Sequence, residues 1–399
     1  MRILKENHQG PSTILALALI PLSGFATDVY LPSLPSMAQQ LHVSNAAVQL
    51  SLVLFMFSTG ISQLFIGTIL DSFGRFKISS TALAIFSIAS FTIALAPNIY
   101  LIYVMRVIQG ICIALVVVAK RAYFVDLYTG DKLKGYVSLF AIIWACAPIM
   151  APFIGGYLQK LFGWQSNFYF LGALSALFLV LELIFSGESI KHFHPFKLKP
   201  IISTYIDMGR SGDFTLGLLI IGVCFGIVVT YSLSSPFIIE KVLGYSAVMT
   251  GYSSLLSGLA IMSGGIIAKS LIKVDLKTKV VAGLIIQFVF ILLMIFTASW
   301  ANNIFTLICF TICIHASGGF VFNIIFGYCL SRFTKNAGVA AGITGGAMYM
   351  ISSIFSYSFA NLFAIKSQMQ LGLANASLAG LMVILFVFFI RSKNKVDRS

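Results

Sequence analysis

The sequence predicts an all-α integral membrane protein with twelve transmembrane helices in two six-helix halves, and three observations carry that prediction. The 399 residues are 59% hydrophobic and only 10% charged, whereas a soluble globular chain carries about 25% charged residues. Apolar stretches recur from Ile14 to Ile390 with short polar breaks, each near the roughly 20 residues that a spanning helix needs. The basic residues then sort to one side of those stretches.

The spans are placed at about 13–34, 45–69, 77–96, 99–120, 134–159, 165–186, 214–237, 247–270, 278–298, 302–330, 338–363 and 371–391. The first run continues from Ile14 through Tyr30 into Leu31-Pro32-Ser33-Leu34-Pro35 without a cleavage pattern, so it reads as a retained helix. With the N-terminus in the cytoplasm, 22 of the 26 basic residues fall on the inner side, among them Arg2, Lys120, Arg121, Lys191, Lys197, Lys199, Lys335 and Arg398. Lys160, Lys241 and Lys366 fall outside, and Arg106 falls within a span. That bias is what the positive-inside rule requires of an even number of spans with both ends in the cytoplasm. The net charge of +14 is thus a topology signal. Nucleic-acid binding would need the same charges on one contiguous face.

The six cysteines lie inside apolar spans, and Cys309 and Cys313 have no further ligands at metal-site spacing. No metal and no cofactor is expected. The segment Ser186 to Asp213 carries lysines and histidines among prolines and divides the chain into residues 1–186, a cytoplasmic linker at 187–213, and residues 214–399. The halves echo one another: Leu34-Pro35-Ser36 followed by Val43-Ser44 ends the first span, and Ser235-Pro236-Phe237 followed by Tyr245-Ser246 ends the seventh. A parallel repeat of two six-helix halves is one of the known transporter plans.

After the second span comes Gly67-Thr68-Ile69-Leu70-Asp71-Ser72-Phe73-Gly74-Arg75-Phe76-Lys77. It resembles the signature loop of the major facilitator superfamily, with Ser72 where the family usually has a basic residue. Glycine permits a tight connection and close helix approach. Asp71 is expected to accept from a neighbouring helix N-terminus, with Arg75 and Lys77 at the anionic inner surface. In the fourth span Arg106-Val107-Ile108-Gln109-Gly110 matches the family's Arg-xx-Gln-Gly motif. In the fifth, Pro148, Pro152, Gly155 and Gly156 match the Pro- and Gly-rich motif of its drug and proton antiporters. Small residues let helices touch and proline bends a span.

Finer agreement lies in Thr27-Asp28-Val29-Tyr30-Leu31-Pro32, Asp126-Leu127-Tyr128 and Tyr231-Ser232-Leu233-Ser234-Ser235-Pro236-Phe237. These resemble the bicyclomycin and chloramphenicol resistance subfamily of bacterial multidrug exporters, with Val125 where that subfamily usually has Arg. The resemblance implies the major facilitator fold and a monomer in the bacterial inner membrane. Its expected partners are a small-molecule substrate, protons and the lipid bilayer.

A charge in hydrocarbon costs about 2.5–3.5 kcal/mol on insertion scales, so each intramembrane ionisable residue is a functional hypothesis. Asp28, near the outer end of the first span, is expected to carry the coupling proton. Arg106 needs a partner, which backbone carbonyls, Gln109 or Asp28 would supply. Glu182 in the sixth span and His315 in the tenth are further titratable groups. Tyr30, Gln109, Pro148, Tyr231, Phe237, His315 and Asn323 are expected to line an apolar substrate cavity.

The absence of a Walker loop argues against ATP-driven pumping. No catalytic constellation supports a membrane enzyme, and the short ends do not support a receptor. Within transport, proton-coupled export of amphipathic compounds competes with export of an anionic metabolite such as a carboxylate siderophore, motivated by Arg106, Lys120 and Arg121. A reporter fused at Ser399 is expected to behave as cytoplasmic; phosphatase activity on the outer face would overturn both the orientation and the even span count.

Overall fold

The computed structural model describes residues 3–95, 98–190, 193, 195, 198–333 and 336–396. Arg2, Lys191, Lys197, Lys335 and Arg398 of the inner basic set, with His192 and His194, lie outside the described residues. The helices are α1 (Gln9–Leu19), α2 (Leu22–Asp28), α3 (Leu34–Gln40), α4 (Asn45–Phe73), α5 (Arg75–Leu95), α6 (Ile99–Leu127), α7 (Gly130–Phe162), α8 (Gln165–Phe185), α9 (Leu198–Gly209), α10 (Gly212–Pro236), α11 (Ala247–Ser270), α12 (Leu276–Thr297), α13 (Ile304–Ser331), α14 (Ala337–Leu362) and α15 (Gln368–Val396). Among the described residues 11 segments are long and apolar enough to cross a membrane, and α7, 33 residues long, is the twelfth. Exposed Ile88, Ile266 and Phe296 belong to the surface that meets lipid tails.

Two compact units divide at Leu198 and Lys199, inside the expected linker, which also carries α9. In the N-terminal unit α6 packs on α4 and α5, α8 on α5, and α7 on α2. The C-terminal unit repeats the plan: α13 packs on α11 and α12, α15 on α12, and α14 on α10. Close backbone approaches repeat as well. A Cβ at Gly110 of α6 would lie 2.5 Å from the Phe55 carbonyl oxygen, and one at Gly319 of α13 would lie 2.4 Å from that of Ile261. Such backbone contact between helices is what small residues supply in a membrane.

The first span departs from the expected unbroken helix. It runs over Glu6–Gln40 but pauses at Pro21 and again at the short turn Leu31–Ser33. Proline has no N–H to donate and crowds the carbonyl a turn earlier, so each pause falls at a proline. Helix starts are capped by Ser44 at the Ala47 amide, Asn98 at Tyr100 and Asp275 at Thr278, each satisfying a donor that the helix leaves open. The fourth span runs on to Leu127, beyond the expected end at 120.

Helix α7 continues through Pro148 and Pro152 and touches α2 at Gly155, where a Cβ would fall 1.6 Å from the Val29 carbonyl oxygen. Gly380, by contrast, has open space around it. Gly155→Ala is expected to lower thermal stability by about 2 kcal/mol through overpacking, while Gly380→Ala leaves the melting temperature unchanged or raises it. Equal melting temperatures for the two variants would refute the contact.

Candidate functional site

Arg106 sits two turns into α6 and is fully buried. Its two terminal nitrogens donate to the Ala26 carbonyl at 3.1 and 3.2 Å, and one donates to Gln109 Oε1 at 2.9 Å. The Ala26 carbonyl lies in the last turn of α2, where helix carbonyls lack intrahelical partners. Aromatic rings close the shell, with the guanidinium carbon 4.5 Å from the Tyr30 centroid and 4.2 Å from that of Phe55; a desolvated cation gains about 2 kcal/mol from such a face. Gln109 is held in turn by Ser90 at 2.7 Å, and Tyr30 shares a 3.2 Å hydrogen bond with Ser51 of α4.

Of the three partners expected for Arg106, the structure selects the carbonyl and Gln109. Asp28 does not pair with it. Half-buried at the end of α2, Asp28 has no hydrogen bond or ion pair among the described residues.

At the loop after α4, Gly74 adopts φ +92°, a left-handed conformation that favours glycine. Arg75 is mostly buried and bridges Asp71 at 3.2 Å and Asp126 at 2.6 Å, so it does not stand at the lipid surface as expected. Lys77 does remain exposed. The acceptor at the next helix N-terminus is Glu188 rather than Asp71: its two oxygens take the Arg75 and Phe76 amides at 3.0 and 3.1 Å. Gly67 has open space around it, so no close helix approach occurs there. The signal for Glu188 was present, since it is the sole acid between Gly187 and Ile206.

Lys120, expected at the cytoplasmic end of its span, lies inside α6 and forms a buried ion pair with Glu182 of α8. Ser186 donates to the same carboxylate at 3.1 Å and meets Ser12 at 3.0 Å. Glu182 is thereby held in a satisfied network. The C-terminal unit has its own inner charge cluster, which sequence reasoning missed: buried Asp213 accepts from Arg332 at 2.6 Å, from Ser211 at 2.6 Å and from Tyr328.

Tyr231 hydrogen-bonds Ser253 of α11, and its ring meets that of His315 edge-on at 5.2 Å. His315 is buried, with Nδ1 at 2.6 Å from Ser257 Oγ. Asn323 is not brought into this cluster; it donates to Gly319 of its own helix at 2.8 Å and packs beside Gly265. Phe237 is buried where α10 gives way to a π-turn, and half-buried Pro148 packs beside Gly24. Pro152, Gly155 and Gly156 are buried in α7.

Twelve spans in two repeated units, with a charge-locked loop after the second span, define a membrane transporter rather than an enzyme. The chain belongs to the Major Facilitator Superfamily, which it matches over residues 16–357. It is 30% identical over 268 residues to the MFS-type transporter YdgK of Bacillus subtilis, covering 64% of this chain and 67% of that one. It is 26% identical to a bicyclomycin resistance protein homolog of Haemophilus influenzae (73% and 75% covered) and 25% identical to multidrug resistance protein D of Escherichia coli (96% of each). Among solved structures, a D-xylose–proton symporter shares the fold, with a TM-score of 0.75 at 15% identity over 94% of this chain and 97% of that one.

Breaking a buried ion pair costs about 3–5 kcal/mol, whereas replacing both partners by apolar groups is close to neutral. Lys120→Met alone is therefore expected to depress stability strongly, and Lys120→Met with Glu182→Leu to restore it. A double variant as unstable as the single would show that the pair is not an isolated unit.

Proposed function

We propose that the chain is a proton-coupled antiporter that exports small amphipathic compounds across the bacterial inner membrane, as a monomer with both termini in the cytoplasm. The observation that carries this reading is the unpaired, half-buried Asp28, two residues from the carbonyl on which Arg106 leans. A carboxyl with no cation fixed to it exchanges a proton with water at no cost in broken pairs. Gain or loss of that proton changes how the last turn of α2 is solvated, and Arg106, held on the same turn, passes the change to α6. Coupling thus runs through a shared helix end rather than through a direct Asp28–Arg106 pair.

The names of the relatives support the substrate class: a bicyclomycin resistance protein homolog and multidrug resistance proteins. Tyr30 and Gln109 around Arg106, and Tyr231 with His315, supply the polar contacts of each unit. The apolar residues beside them accept varied compounds by shape. Pro148 and Phe237 belong to the same surfaces in this reading, and Asn323, bonded within its own helix, does not. The Asp71–Arg75–Asp126 loop governs exchange between conformations. Export of an anionic metabolite draws on Arg106, Lys120 and Arg121, and it loses Lys120 to Glu182.

Substrate and proton that compete must be linked reciprocally. Adding chloramphenicol to the purified protein in weak buffer is expected to release protons, and Asp28→Asn to release fewer and to lose uphill export from proteoliposomes. Equal release from the two proteins would sink the role of Asp28.

A further inference from the structure

The sequence holds 12 acidic residues, and almost all are accounted for by geometry. Asp71, Asp126, Asp131, Glu182, Asp207 and Asp213 are ion-paired. Glu188 and Asp275 accept amides at the starts of α5 and α12. Glu6 is exposed, and Asp397 lies outside the described residues. Asp28 and Glu240 remain. Both are half-buried, neither is joined to a basic side chain by a salt bridge among the described residues, and one belongs to the first span of each unit.

Glu240 stands in a six-residue π-turn, Phe237–Val242, that continues α10 after Pro236. The wider register shows in the Leu243 amide donating to the Ile238 carbonyl at 2.9 Å. Pro236 brings no N–H to the ladder, which is a cause of such widening, and π-turns inside helices occur frequently at functional sites. Oε1 of Glu240 accepts the Thr250 hydroxyl of α11 at 2.8 Å. The elements packed most extensively on this turn are α10 and α11. Their charged residues, Asp213 and Lys269, stand at the opposite ends of those helices, and Tyr231 and Tyr252 are their tyrosines. Lys241, next in the chain, is exposed.

We propose that Glu240 is a second proton-exchanging carboxyl, acting alongside Asp28 from the first span of the C-terminal unit, so that each turnover moves two protons. This rests on the antiport reading. The ionised carboxylate accepts from Thr250. A proton taken from water forms an O–H on the carboxyl, which then donates, and the Thr250 hydroxyl turns to the helix carbonyl a turn before it, as threonine in a helix readily does. The reverse step returns the proton to water and restores the carboxylate.

The full chain in lipid nanodiscs, titrated with pH and followed by difference infrared spectroscopy of the carboxyl C=O band, tests the site without a substrate. Wild type and Asp28→Asn are expected to show a pH-dependent band that Glu240→Gln lacks, and Thr250→Val is expected to shift that band without removing it. Glu240→Gln keeps the shape and the Thr250 contact, so its fold is preserved. At zero membrane potential, two protons per turnover sustain about a hundredfold chloramphenicol gradient per pH unit, and Glu240→Gln is expected to sustain about tenfold. A Glu240→Gln spectrum identical to wild type, or an equal gradient, overturns the proposal. An Asp28→Asn spectrum identical to wild type removes Asp28 and leaves Glu240 in place.

Discussion

A guanidinium shut away from water sets the terms for the N-terminal unit. Arg106 cannot shed its charge, and a buried charge without partners is among the most costly features a fold can carry. Its principal acceptor, the Ala26 carbonyl, is open only because α2 ends at Asp28, and α2 ends there because Pro32 and Pro35 follow. Gln109, fixed by Ser90, and the faces of Tyr30 and Phe55 complete the shell. The broken first span is therefore the condition for keeping a fixed cation inside α6. The contact of Gly155 with the Val29 carbonyl then clamps the broken segment against α7.

The C-terminal unit meets the same demand differently. Tyr231 stands five residues before Pro236, as Tyr30 stands five before Pro35. Each tyrosine bonds a serine on the next long helix, Ser51 or Ser253. Each ring also meets a nitrogenous side chain, Arg106 or His315, one turn before a glycine in backbone contact, Gly110 or Gly319. Here α10 is continuous through Tyr231, so its carbonyls are spent within the helix. A permanent cation would lack its main acceptor there. An imidazole satisfied by Ser257 needs none.

The spans and their number were legible because hydrophobic runs and the side preference of lysine and arginine are local properties of the chain. The pauses in the first span were not: proline marks a place where a helix can stop, and only packing against α7 decides whether it does. The partner of Arg106 was narrowed to three groups and needed the fold to choose. Lys120 was misplaced because a lysine near a span end reads as a loop residue until a buried carboxylate such as Glu182, 62 positions away, is brought beside it. Glu188 and Glu240 carry no motif, and their meaning lies in what their oxygens touch.

The ion pairs also differ in what they are suited to do. Asp71 is 42% exposed, so water screens its pair with the mostly buried Arg75 and brings it nearer the ~1 kcal/mol or less of an exposed pair than the cost of a buried one. Such a contact is less costly to break than a fully buried one. Lys120 and Glu182 are both buried, and separating them leaves two desolvated charges, which costs several times more. Asp213, buried against a partly exposed Arg332, lies between these limits. Within the N-terminal unit the α6–α8 contact is thus the most costly of these pairs to separate, and the Asp71–Arg75 pair the least.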